Sequence, residues 1–227
     1  MQSLHDLFYK YKTDKAHDFH NYSRQYESIL APYRSLNGNV LEIGVFDGAS
    51  IKAWREAFLS ATNIIGVDIR ESCLQYRDES AKIQIEIGDI SDPKTVPRLR
   101  EKYGTFDFII DDGSHKNKDV IYAFENLFPL LNDGGLYIVE DTICYKAKGY
   151  IDTKYPNHLD YFTALVPFLN QWRYDSLGEL KDNCVDPFKI EKKTSNVLEQ
   201  GIDKIEFACS FIAISKKLRK HWIPTNS

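Results

Sequence analysis

No stretch of this sequence approaches the roughly 18 to 20 consecutive apolar residues of a membrane-spanning helix. The N-terminal MQSLHDLFYKYKTDK is too polar for a secretory signal. Both absences predict a cytoplasmic protein with no membrane partner. Cysteine is scarce and scattered: Cys73, Cys144, Cys184 and Cys209 show no CxxC spacing, which argues against a disulfide framework and a cysteine zinc site. Strong charge of either sign is lacking too. A formal charge of −4 and a pI near 5.9 do not supply the basic face that general nucleic-acid binding requires. Internal repeats and low-complexity tracts are missing as well.

What is present is an ordinary globular composition, 43% apolar and 27% charged over 227 residues, long enough to bury a substantial core. From residue 39 onward, short apolar runs alternate with amphipathic ones. NVLEIGV (39–45), NIIGVDI (63–69), KIQIEIGDI (82–90), FDFIID (106–111) and LYIVED (136–141) read as strands, the near-continuous apolar ones as strands buried on both faces of a parallel sheet. Between them, ASIKAWREAFLSA (49–61), DPKTVPRLREKYG (92–104) and NKDVIYAFENLFPLL (117–131) read as helices, the last ended by NDGG. Residues 161–172 suggest one more helix, and 204–217 a closing hairpin of two strands. The alternation predicts an α/β fold with a doubly wound, mostly parallel sheet. Residues 1–38 form a mainly helical N-terminal extension that could pair subunits into a homo-oligomer, 39–217 the main domain, 145–158 a polar, aromatic surface loop, and 218–227 a tail.

Chemistry-bearing residues collect at the predicted strand ends. Gly44 and Gly48 let the backbone turn tightly and approach a ligand closely between the first strand and first helix. Their spacing is GxxxG rather than GxGxxG, which disfavours a dinucleotide and hence a dehydrogenase. Asp68 ends the second strand, where a carboxylate can bond both hydroxyls of a ribose. Gly88 and Asp89 end the third. Ligands of open α/β sheets bind along this edge, so an adenosine-containing cofactor is expected.

The stretch IIDDGSHKN (109–117) adds Asp111, Asp112, Ser114 and His115 in quick succession. One helix later the fifth strand ends in Glu140-Asp141. A strand–helix–strand unit makes the two strands parallel and adjacent, so Asp112, Glu140 and Asp141 meet on one edge. Unpartnered, they would repel one another. A hard divalent cation, Mg²⁺ or Mn²⁺, would resolve the conflict. Each motif in isolation also fits a helix cap or turn. That reading does not account for His115, whose imidazole could take a proton from an alcohol held by the cation. Tyr145, Tyr150 and Tyr155 in the following loop could stack on an acceptor or could be surface cover. Trp172, Arg173, Asn183, Cys184, His17, His20 and Tyr22 are further candidates that the sequence does not place.

LEIGVFDGAS, GVDI, GDISDP, FDFIIDDGSH and GGLYIVEDT together resemble class I S-adenosylmethionine-dependent methyltransferases. DDGSH with ED, the N-terminal YKTDKAHDFHNY and the terminal IEFACSFIAISKK are similar to the metal-dependent macrolide and glycoside sugar O-methyltransferases of the mycinamicin and macrocin type. That resemblance implies a seven-stranded Rossmann-like sheet and transfer of a methyl group from S-adenosylmethionine to a hydroxyl of a sugar or glycoside. It implies that Glu42, Gly44 and Gly48 shape the methionine and ribose end, with Asp111 in the same cofactor-binding set. Asp68 would hold the ribose, and Asp89, Ile90 and Ser91 would border the adenine. Thr13, Asp14 and Lys15 would close over the amino-acid portion. Asp112, Glu140 and Asp141 would be metal ligands and His115 the general base. A catechol-type O-methyltransferase and a non-catalytic cofactor-binding module stay open beside it.

Overall fold

The computed structural model describes residues 2–16, 20–151, 156–167, 169 and 201–217. These build a seven-stranded sheet in the order β3-β2-β1-β4-β5-β7-β6. The strands are β1 (Asn39–Ile43), β2 (Asn63–Asp68), β3 (Ile83–Ile87), β4 (Phe106–Asp111), β5 (Leu131–Glu140), β6 (Ile202–Ala208) and β7 (Phe211–Lys216). The first five are mutually parallel. β7 enters antiparallel between β5 and β6, as the predicted terminal hairpin requires. The order reverses direction between β1 and β4, the crevice where open sheets hold ligands.

Parallel strands buried on both faces split their side chains by parity. Val40, Phe108, Ile110, Leu136 and Ile138 face one layer, and Leu41, Ile43, Ile109, Tyr137 and Val139 face the other. The first layer is α1 (Leu4–Tyr11), α2 (Ser23–Leu30) and α3 (Ala49–Ala57). The second is α4 (Thr95–Tyr103), α5 (Asn117–Leu127) and α6 (His158–Ala164). The N-terminal helices are thus part of the main core. Phe8 and Tyr26 are fully buried, and Phe8 meets Trp54 edge-on with ring centres 5.3 Å apart. Each such buried aromatic contributes roughly 1.5–3 kcal/mol through its apolar area.

Several elements are shorter than the sequence reading had them, and the junction of α5 with β5 differs most. α5 stops at Leu127, because Pro129 cannot continue it, and a 3-10 turn covers Phe128–Leu130. The ammonium of Lys216 donates to the freed carbonyls of Phe128, Pro129 and Leu131. β5 starts at Leu131 and takes in NDGG, with Leu131 opposite Phe106 and a register shift before Phe108. The helix expected over 161–172 is described only in part, and Tyr155, Trp172, Arg173, Asn183, Cys184, His17 and the 218–227 tail lie outside the described residues.

Candidate active site

The site begins where β1 turns toward α3. Gly44 (φ +90°) and Gly48 (φ +73°) both take left-handed backbone conformations, which glycine adopts without a Cβ penalty. A Cβ on Gly44 would lie 2.0 Å from the carbonyl oxygen of Asp112, so the turn packs directly on the backbone leaving β4. Gly44 N–H donates to Val67 O (2.8 Å) and Asp112 N–H to Ile43 O (3.0 Å), which locks the three strand ends together.

Asp68 closes this turn from the β2 side. Its Oδ2 accepts from the amides of Val45 (2.9 Å) and Phe46 (3.1 Å), and its Oδ1 from the amide of Arg70 (2.9 Å). The Arg70 guanidinium adds Nε to Oδ1 and Nη2 to Oδ2, both at 3.1 Å. Burial works against the carboxylate, but Arg70 and these amides outweigh it and hold Asp68 well below the usual carboxylate range. The expected ribose ligand is therefore already engaged. Its diol could take the same oxygens only where Arg70 lets them go. At the next strand end, Asp89 Oδ1 accepts from Ser91 N–H (2.8 Å) and Ser91 Oγ (2.7 Å).

Two cavities flank the turn. One, of about 360 Å³, is bounded by Gly44, Asp68, Asp89, Asp112, His115 and Asp141. The other, of about 470 Å³, has Thr13, Asp14, Gly44, Phe46, Ser50 and Asp112 in its wall. Asp14, Gly44, Phe46 and Asp112 belong to both, so the cavities adjoin across that turn. Each is within the usual range for small-molecule sites.

At the lip stand Asp112, His115 and Asp141, each offering one ligand atom within 4.8 Å of the others. His115 Nε2 faces Asp141 Oδ2 at 3.6 Å and Asp112 Oδ1 at 3.9 Å. His115 (φ 56°) and Asp141 (φ 53°) both have left-handed backbones, a conformation that non-glycine residues hold at a cost and that concentrates at functional sites. Ser114 serves the turn itself, accepting from Lys116 N–H (3.3 Å) and donating to Asp119 (2.7 Å). The cap-and-turn reading therefore describes Ser114 rather than Asp112 or His115.

Glu140 is placed apart from that group. The parity of β5 turns its carboxylate into the α1–α2 layer, where the hydroxyl of Tyr26 and the ammonium of Lys15 (2.9 Å) donate to it. Lys15 also reaches Asp112 Oδ2 at 2.5 Å and Glu42 Oε1 at 3.6 Å. Lys15 is fully buried and forms part of neither cavity wall. It stands beneath the site rather than over a cofactor. Burial lowers its pKa, yet Asp112, Glu140 and Glu42 outweigh this and raise it well above the ordinary value. One ammonium does not balance three carboxylates. Burial consequently pushes Glu42 up to about 7, against the pull of Lys15. Glu42 accepts from Ser50 Oγ (2.7 Å) and Trp54 Nε1 (2.9 Å), so it braces α3 and does not line the cavities. Asp111, of the opposite parity, points into the α5 layer. It accepts from Gly113 N–H (3.4 Å) and Tyr137 OH (3.3 Å), and burial raises it to about 7.

The N-terminal segment supplies two contacts that the sequence left unplaced and one it did not flag. Tyr22 OH donates to Asp141 Oδ1 at 2.5 Å, and His20 Nδ1 lies 3.3 Å from the same oxygen. Tyr26, on Glu140, was not singled out. Its spacing of one helical turn from Tyr22 was the available signal.

Residues 41–142 match the family model described as "Methyltransferase domain". Those residues form a methyltransferase domain. The domain's fold is that of MycE methyltransferase from the mycinamycin biosynthetic pathway, solved with Mg, SAH and mycinamycin VI. The TM-score is 0.79 and the identity 25%, covering 99% of this chain and 57% of that one. Among curated relatives, the 8-demethyl-8-alpha-L-rhamnosyl tetracenomycin-C 2'-O-methyltransferase of Streptomyces olivaceus is 35% identical over 167 residues, 69% of this chain and 43% of that one. The mycinamicin VI 2''-O-methyltransferase of Micromonospora griseorubida is 36% identical over 145 residues, 61% of this chain and 35% of that one. The chain thus spans less than half the length of these curated relatives. Among the described residues, no helix of the domain is long and apolar enough to cross a membrane.

Proposed function

We propose that this chain transfers a methyl group from S-adenosylmethionine to a hydroxyl of a sugar or glycoside, assisted by Mg²⁺ or Mn²⁺. The observation that carries this reading is the position of Asp112, His115 and Asp141 at the lip of the cavity bounded by Gly44, Asp68 and Asp89. The relatives named for glycoside 2'- and 2''-O-methylation support the acceptor class.

The residues present fit both groups. Asp14, Asp68, Asp89, Asp112, Asp119 and Asp141 line the cavity against one guanidinium, Arg70. Such a lining favours a sulfonium and a hard cation over an anionic ligand. When bound, the cofactor supplies a methyl group on a positively charged sulfur, and the cation acidifies a hydroxyl that it holds. Asp112 and Asp141 are the ligands the lip brings together. Glu140 is the third carboxylate of the same edge, and it is free for the cation only when it releases Lys15. His115 Nε2 faces Asp112 and Asp141 and takes the hydroxyl proton. Asp68 holds the ribose, Asp89 with Ser91 and Ile90 borders the adenine, and Thr13 and Asp14 cover the amino-acid end. Lys15, Glu42 and Asp111 act from beneath, by fixing Asp112 and the strand ends.

Thermal unfolding with S-adenosylhomocysteine, with and without Mg²⁺, tests the reading, with NAD as the control. Near one hundred times Kd, binding adds about 2.7 kcal/mol, roughly 5–10 °C for a chain of this size. A shift with S-adenosylhomocysteine, and a further one with Mg²⁺ that Asp112→Ala abolishes, is the expected result. A shift with NAD alone would overturn it.

A further inference from the structure

We infer that Asn117 is a positioning residue of the acceptor side, tying the loop from Thr142 to Tyr150 across His115. Asn117 opens α5, two residues beyond His115, and is 1% exposed. Its polar groups reach three points of the following chain. The backbone N–H donates to Tyr150 O at 3.2 Å. The side-chain Nδ2 donates to Tyr145 O at 3.0 Å, and Oδ1 accepts from His158 N–H at 3.0 Å. His158, itself buried, closes the circuit with Nε2 at 3.2 Å from Thr142 O.

These bonds gather the start, middle and end of one loop onto the beginning of α5. Near the C-terminal tie, the Tyr150 ring lies 6.3 Å from the His115 ring, while Ile143 and Ile151 keep 66% and 52% of their surface exposed. A loop whose side chains are this exposed gains little from burial. Its position rests on hydrogen bonds to backbone groups, and the amide of Asn117 supplies a donor to Tyr145 O and an acceptor for His158 N–H. Lys116, the N-cap residue, makes no capping bond with its side chain. The purpose given to the tie rests on the reading of His115 as the base. The tie itself does not.

The test needs no acceptor. Wild type and Asn117→Leu are treated with diethyl pyrocarbonate at pH 7, and the modification rate of each histidine is read by mass spectrometry, alongside hydrogen exchange of residues 142–151. In Asn117→Leu we expect His115 to react several-fold faster and the loop to exchange faster. His5, distant on α1, should keep its rate, and the thermal shift with S-adenosylhomocysteine should be retained. An unchanged His115 rate, or an equal rise at every histidine, would overturn the proposal. Should the leucine variant fail to fold, Asn117→Asp at pH 8.5 keeps the acceptor for His158 and loses, when ionised, the donor to Tyr145. His115 must still react faster in it. Absence of any S-adenosylhomocysteine shift in wild type would instead count against the methyltransferase reading and leave the modification rates interpretable.

Discussion

The ammonium of Lys15 lies 2.5 Å from Asp112 Oδ2, joining the segment after α1 to the end of β4. The same ammonium is 2.9 Å from Glu140, so one cation fixes the ends of two adjacent strands from below. Asp112 consequently has two roles in space: Oδ2 is anchored inward while Oδ1 faces His115.

Replacing that ammonium should be costly. Lys15→Met keeps most of the side-chain volume but leaves Glu42, Asp112 and Glu140 without their counter-charge. Removing one partner of a buried ion pair costs about 3–5 kcal/mol, and urea denaturation at pH 7 should show a loss of that order. A loss under about 1 kcal/mol would mean that the carboxylates do not depend on Lys15.

Asp68 gives a pH signature. Its ionised form is favoured in the folded state, where Arg70 and the amides of Val45, Phe46 and Arg70 bond it. The unfolded side chain titrates near pH 3.9. Its contribution is therefore present above about pH 4 and is lost as the pH falls toward the lower folded-state value. Asp68→Asn should be less stable than wild type at pH 7 by about 1–3 kcal/mol, the loss typical of charged hydrogen bonds. That gap should narrow by pH 3 in urea titrations. A gap independent of pH would show that the charge is not what Asp68 contributes.

His115 is best tested with asparagine, which tolerates the left-handed backbone at this position better than alanine does. General-base catalysis contributes about 10²–10⁴ in rate. We expect His115→Asn to lower turnover of a glycoside acceptor by at least about 100-fold while S-adenosylhomocysteine affinity, by calorimetry, stays within about twofold. Joint loss of both would make His115 a structural residue.

Much of the site could be read before any coordinates. The apolar runs 39–45, 63–69 and 106–111 identified parallel strands, because a strand covered on both faces reads as a near-continuous apolar run rather than an alternating one. Gly44, Asp68, Asp89, Asp112 and Asp141 were found at or just past the ends of the five predicted strands.

What the sequence by itself determined, then, is the order of strands and helices, the edge on which the acidic residues gather, and the need of those residues for positive charge. Local periodicity and covalent adjacency are enough for each. Tertiary structure alone decided which positive charge answers which carboxylate. Lys15 meets Glu140 only because α1 and α2 bury Phe8 and Tyr26 against Trp54, and no local pattern encodes a contact between segments so far apart in the chain. The same holds for Asn117 beneath the 142–150 loop. Each is a hydrogen-bonding geometry fixed by packing between elements, and spacing along one element does not reveal it.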